Sequence, residues 1–83
     1  MGIVEVRLPQ WGMGMQEGIL VEWLKDVGDD IQEDEPLAVV ETAKATEQVI
    51  APASGLLESI FVSAGQKVPV GSLLAAIQEL AEQ

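Results

Sequence analysis

Leu37-Ala38-Val39-Val40-Glu41-Thr42-Ala43-Lys44-Ala45-Thr46-Glu47-Gln48-Val49-Ile50-Ala51-Pro52 sets two short apolar runs on either side of a polar turn. Runs of this length, rich in branched aliphatic residues and closely spaced, read as the two strands of a hairpin. The turn contains neither Asn-Gly nor Asp-Gly, the pairs that favour a two-residue primed turn, so ease of turning does not account for its residues. Two alanines flank one lysine and leave its side chain unobstructed. The other bases, Arg7, Lys25 and Lys67, all lie more than eighteen residues from Lys44.

The same texture continues on both sides of the hairpin. Residues 3–8, 19–24, 37–42, 47–51, 56–62 and 73–78 are short, rich in Val, Ile and Leu, and predict strands. Between them stand Gly12, Gly14, Gly18, Gly28, Pro36, Pro52, Gly55, Gly65, Pro69 and Gly71, a punctuation too dense for helices. The fold class that follows is all-β.

The chain also repeats itself. At an offset of 37 residues Gly18 meets Gly55, Leu20 meets Leu57, Gly28 meets Gly65 and Leu37 meets Leu74. In the same register Ile19 meets Leu56, Trp23 meets Ile60, Leu24 meets Phe61, Ile31 meets Val68 and Val40 meets Ile77. Each half therefore has a strand, a tight turn at Gly28 or Gly65, a short apolar stretch and a second long strand. One half alone would leave an apolar face open to water. Two halves facing each other across a pseudo-two-fold axis bury both faces as a sandwich or flattened barrel. Residues 42–46 then fall at the junction of the halves.

Composition narrows the chemistry. With 83 residues the chain is expected to be one domain, residues 1–80, with 81–83 as a tail or the start of a linker. It has no cysteine and no histidine, which removes thiolate nucleophiles, disulfides and the common zinc ligands. Without His, Cys or a Gly-framed serine, an independent hydrolase or transferase has no base or nucleophile. Fourteen acidic against four basic residues give a net charge of -10, which opposes nucleic acid and anionic membranes as partners and favours solubility and basic partner surfaces. The acidic groups Asp29-Asp30 and Glu33-Asp34-Glu35 lack calcium-loop spacing and read as solvated turns, so no metal site is expected. No run approaches the ~20 apolar residues of a membrane span, the opening is not that of a secretory leader, and Val6 breaks the myristoylation pattern. Together with the missing cysteines, this favours a reducing, cytoplasmic location.

The turn Glu41-Thr42-Ala43-Lys44-Ala45-Thr46 resembles the lipoyl-lysine turn of lipoyl domains. Leu8-Pro9-Gln10-Trp11-Gly12-Met13-Gly14-Met15-Gln16-Glu17-Gly18 resembles the first strand and following loop of the lipoyl domains of 2-oxo acid dehydrogenase acyltransferases. Val27-Gly28-Asp29, Ala51-Pro52-Ala53-Ser54-Gly55 and Gly65-Gln66-Lys67-Val68-Pro69-Val70-Gly71 continue the likeness in order and spacing, over residues 3–80.

The resemblance implies two four-stranded antiparallel sheets related by a pseudo-dyad, with the modified lysine on an exposed hairpin. It implies lipoate joined to Lys44, attached by a lipoate ligase or lipoyltransferase. It further implies exchange with a thiamin-dependent 2-oxo acid decarboxylase, an acyltransferase core and a dihydrolipoyl dehydrogenase, the domain being a non-catalytic carrier. Trp11, Met13 and Met15 would lie near the lysine and help partners recognise the domain; the plainer reading is that they cap one end of the sandwich. Trp23, in a strand, reads as packing. One departure stands out, because Ala43 occupies a position where most of these lipoyl domains carry Asp. Two other readings stay open: a biotin carrier, which usually flanks its lysine with Met, and an adaptor of the same fold whose lysine is never modified.

Overall fold

The computed structural model describes residues 2–79. The described residues form eight strands: β1 (Ile3–Arg7), β2 (Glu17–Trp23), β3 (Asp30–Ile31), β4 (Pro36–Glu41), β5 (Thr46–Ile50), β6 (Gly55–Ile60), β7 (Lys67–Pro69) and β8 (Leu73–Glu79). They build two four-stranded sheets, ordered β1-β8-β6-β3 and β5-β4-β2-β7, with every pairing antiparallel. The predicted all-β sandwich is present. The six predicted strands all form, and the two short apolar stretches become β3 and β7.

The pseudo-symmetry reaches the backbone. Gly28 N–H donates to Leu57 O at 2.8 Å, and its mate Gly65 donates to Leu20 O at 2.6 Å. Both glycines have positive φ, 98° and 91°, which a side chain would strain. A second pair of equivalent positions, Asp34 and Gly71, also shares left-handed backbone, at φ 73° and 89°. The core repeats in the same way. Leu20, Ile31, Leu37, Ala38 and Val40 are matched by Leu57, Val68, Leu74, Ala75 and Ile77, while Val6 and Leu8 are matched by Val49 and Ala51. All are buried, and among the described residues no buried side-chain polar atom lacks a partner.

The halves do not each form one sheet, as two facing halves would. β1 and β3 of the first half pair with β8 and β6 of the second, and β5 and β7 pair with β4 and β2. Each half thus gives its outer strands to the other's inner pair, so neither half has a complete sheet without the other. Close approach of the strands is helped at Gly55, where a Cβ would stand 2.2 Å from Gln78 O, and at Gly18, where it would meet the Val40 side chain at 2.6 Å.

Two places break the symmetry, and both flank Lys44. Residues 8–16 link β1 to β2 with nine residues, whereas the equivalent link from β5 to β6, residues 51–54, has four. The register Glu41↔Thr46, which precedes the Lys44 turn, is matched by Gln78↔Ile3, where Glu79 N–H donates to Gly2 O at 2.8 Å. The Lys44 turn and the two ends of the described chain are therefore symmetry mates. The expected tail at 81–83, like residue 80, lies outside the described residues.

Candidate functional site

The turn of residues 42–45 closes on a single hydroxyl. Thr42 N–H donates to Ala45 O at 2.8 Å, and Thr42 Oγ1 donates to the same oxygen at 2.9 Å. That hydroxyl also accepts from Ala45 N–H at 3.1 Å and Lys44 N–H at 3.3 Å. A threonine hydroxyl can stand in for a backbone group in a tight turn, which explains how the hairpin forms without Asn-Gly. Thr42 is half-buried, while Ala43, Lys44, Ala45, Thr46 and Glu41 are exposed.

Lys44 differs from the other bases. Arg7 pairs with Glu5 at 2.8 Å, Lys25 with Glu35 at 2.7 Å and Lys67 with Glu17 at 3.4 Å. Among the described residues Lys44 alone of the four bases has no carboxylate within ion-pair distance. An ammonium with no fixed partner costs little to move, and the small neighbours Ala43 and Ala45 leave approach open.

Beside the turn lies the nine-residue loop that breaks the symmetry. Met15 N–H donates to Gly12 O at 3.2 Å, Gln10 Nε2 donates to Met15 O at 3.2 Å, and Val70 N–H donates to Gln16 O at 2.9 Å. The first two bonds close the loop on itself, and the third ties its end to Val70. Trp11 and Met15 are half-buried and pack against the core, as the capping reading expected, whereas Met13 is 95% exposed. Between loop and turn is an open cleft of about 270 Å³, bordered by Trp11, Met13, Met15 and Glu17 on one side and by Thr42, Ala43, Lys44, Ala45 and Glu47 on the other. The structure thus brings Trp11, Met13 and Met15 together with Thr42, Ala43, Lys44 and Ala45 around one cleft, while Glu41 and Thr46 do not line it.

The remaining motifs have structural uses. Trp23 is half-buried against the core and its Nε1–H donates to Val62 O at 3.0 Å, so it is packing. Asp29 Oδ2 accepts from Asp26 N–H at 2.8 Å, and Glu35 Oε1 accepts from Gln32 N–H at 2.9 Å, so these carboxylates brace turns. The hydrogen bond from Lys25, then that from Gln32 N–H, holds Glu35 below the usual carboxylate range, and Glu35 in turn raises Lys25. Among the described residues no group of three or more His, Cys, Asp or Glu is placed to hold a metal ion, and no helix is long and apolar enough to cross a membrane. Sequence reasoning named Thr42 only as a neighbour of the lysine; its role as the hub of the turn was readable from the missing Asn-Gly.

Comparison with known proteins places this geometry. Residues 4–77 match the biotin/lipoyl family described as biotin-requiring enzyme. The chain is 42% identical over 72 residues to the dihydrolipoyllysine-residue acetyltransferase component of the pyruvate dehydrogenase complex of Mycobacterium bovis, covering 87% of this chain and 13% of that protein. It is 40% identical over 74 residues to the corresponding acetyltransferase component of the acetoin cleaving system of Pseudomonas putida, covering 89% of this chain and 20% of that protein. The chain therefore spans a fifth or less of the length of these relatives. The solution structure of the lipoyl domain of the 2-oxoglutarate dehydrogenase complex from Azotobacter vinelandii superposes with a TM-score of 0.75 at 28% identity, over 92% of this chain and 96% of that one. A long-chain acyl-CoA carboxylase shares the fold, with a TM-score of 0.80 at 23% identity over 98% of this chain and 7% of that one. With its two interlocked sheets, its exposed lysine at the hairpin and its match over residues 4–77, the chain belongs to the biotin/lipoyl attachment family.

Proposed function

We propose that the chain is a lipoyl carrier domain and that Lys44 is the residue joined to lipoate through an amide. The observation that carries this reading is the state of Lys44, which is exposed, without an ion-pair partner and raised on a turn pinned by Thr42. Likeness to lipoyl domains and to dihydrolipoyllysine acyltransferases favours lipoate over biotin, and the alanines on both sides of Lys44 depart from the Met-flanked pattern of biotin carriers. The residues present fit such a group, because a largely apolar cleft opens beside the amine and, among the described residues, no carboxylate is ion-paired to it, Glu17 being held by Lys67.

Joined there, lipoate would supply the sulfur chemistry that a cysteine-free chain lacks, accepting an acyl group together with reducing equivalents. The protein's own work is presentation. Thr42 holds the turn in one shape, so the lysine leaves the sheet in a defined direction. Lysine is an ammonium ion at neutral pH and no nucleophile in that form. A lipoate ligase or lipoyltransferase must therefore bring an activated acid and accept the proton. Tethering then gives an effective concentration that reaches the order of mM for short flexible links.

The partners that follow are a thiamin-dependent 2-oxo acid decarboxylase, an acyltransferase core and a dihydrolipoyl dehydrogenase, with the exposed face of Met13 and its neighbours Trp11 and Met15 as the recognition surface. The domain itself performs no catalysis, and we assign it to the cytoplasm. The functional test is reductive acylation: the lipoylated chain is mixed with a decarboxylase component, thiamin diphosphate and each of several 2-oxo acids, and its mass is followed beside free lipoamide. The proposal expects acyl transfer to the domain faster than to free lipoamide. Transfer no faster than to lipoamide with every decarboxylase tried would contradict the carrier role.

A further inference from the structure

Three features converge on the cleft beside Lys44, and the recognition role explains only part of them. The loop that walls it is the one long departure from the pseudo-symmetry, nine residues against four. Its floor is largely apolar, with Trp11, Met13 and Met15 across from Ala43 and Ala45, while Glu17 and Glu47 stand at its polar edges. Met13 is 95% exposed, more than any other large apolar side chain among the described residues, and it stands beside the apolar floor of the cleft. Lys44 itself borders the cleft, so whatever is joined to its amine starts at the rim.

Resting on the lipoyl reading above, we propose that this cleft is a parking site for the group carried on Lys44, sheltering its dithiolane ring between visits to partner enzymes. The volume of about 270 Å³ lies near the lower end of small-molecule pockets, roughly 300 Å³, and suits a short hydrocarbon chain ending in a five-membered ring. Methionine sulfurs are soft and adaptable, which suits contact with a disulfide. Affinity need only be weak. A tethered group at an effective concentration of order mM is half docked when its free counterpart would bind with a Kd of order mM. Docking of that strength protects the ring without preventing its release.

The test uses the whole chain with methyl-labelled methionine, lipoylated and unmodified, after intact mass has confirmed the modification. The proposal expects the Met13 and Met15 methyl signals to move on lipoylation, with cross-relaxation to ring protons. Reduction of the ring by a small phosphine should be about twofold slower than for free lipoamide if half the arms are docked. Met13→Ala should raise that rate toward the lipoamide value. Methyl signals that stay in place on a chain of confirmed lipoylated mass, with reduction as fast as lipoamide, would overturn parking while leaving the carrier role intact. Signals that move only when a decarboxylase is added would likewise overturn it and assign the cleft to partners alone. Absence of the mass gain would instead strike at the lipoyl reading itself.

Discussion

Thr42 Oγ1 lies 2.9 Å from the carbonyl oxygen of Ala45 and 3.1 Å from its amide nitrogen, so one side chain closes both polar groups of the residue after Lys44. Replacing that hydroxyl by a methyl keeps the shape and removes three hydrogen bonds. Thr42→Val is expected to lower stability by about 1 kcal/mol, since the groups are exposed and water replaces the lost bonds. It should also slow modification of Lys44, while Thr42→Ser retains both properties. Urea unfolding and a timed lipoylation assay check the pair.

Gly55 and Gly18 are symmetry mates with unequal tolerance. A Cβ at Gly55 meets the backbone oxygen of Gln78 at 2.2 Å, whereas one at Gly18 meets a methyl of Val40 at 2.6 Å. Backbone in a paired strand cannot yield as a side chain can. Gly55→Ala should therefore cost at least about 2 kcal/mol, and Gly18→Ala closer to 1 kcal/mol. Equal costs in denaturant titrations would contradict the register of β6 against β8.

Asp34 and Gly71 share a left-handed backbone, at φ 73° and 89°, but only one of them is glycine. Left-handed geometry costs a residue with a Cβ roughly 1 kcal/mol. Asp34→Gly is expected to be neutral or stabilising by up to about 0.5 kcal/mol, after the added chain entropy of glycine, and Gly71→Ala destabilising by about 1 kcal/mol. Thermal unfolding of the two variants separates the cases.

The Lys25–Glu35 pair, at 2.7 Å, carries the pH dependence that can be assigned to named groups. Glu35 is lowered from 4.5, so its contribution is present above that value and is lost as pH falls through the lower folded value. Lys25 is raised from 10.5, so its contribution is complete below that value and is lost as pH rises through the higher folded value. Lys25→Met should therefore flatten the acid limb of a urea midpoint against pH, relative to the parent chain, and added salt should shrink the difference. Parallel curves for the two chains below pH 4.5 would contradict the assignment.

Much of this fold was legible because the repeat writes it twice. The 37-residue offset located the paired turns and most of the core, and the matched buried residues Ala38 and Ala75 are one further identity in that register. What could not be read was the exchange of outer strands. β3 and β7 have only two and three residues, too few for periodicity to show which sheet they join. The left-handed backbone of Asp34 was equally hidden, since nothing in Glu33-Asp34-Glu35 marks it except alignment with Gly71. At the site, the small neighbours of Lys44 signalled access. The cleft depends on residues about thirty positions apart, Met13 and Ala43 among them, and only the folded chain brings them to one place.

The central claim is that Lys44 accepts lipoate, and intact mass tests it most directly. The chain and its Lys44→Ala variant are each incubated with a lipoate ligase, ATP and lipoate, beside parallel samples with a biotin ligase and biotin. The account predicts a gain of one lipoyl group, roughly 188 Da, on the parent chain and none on Lys44→Ala. A chain that gains nothing with lipoate, gains only with biotin, or gains equally when Lys44 is absent would contradict it.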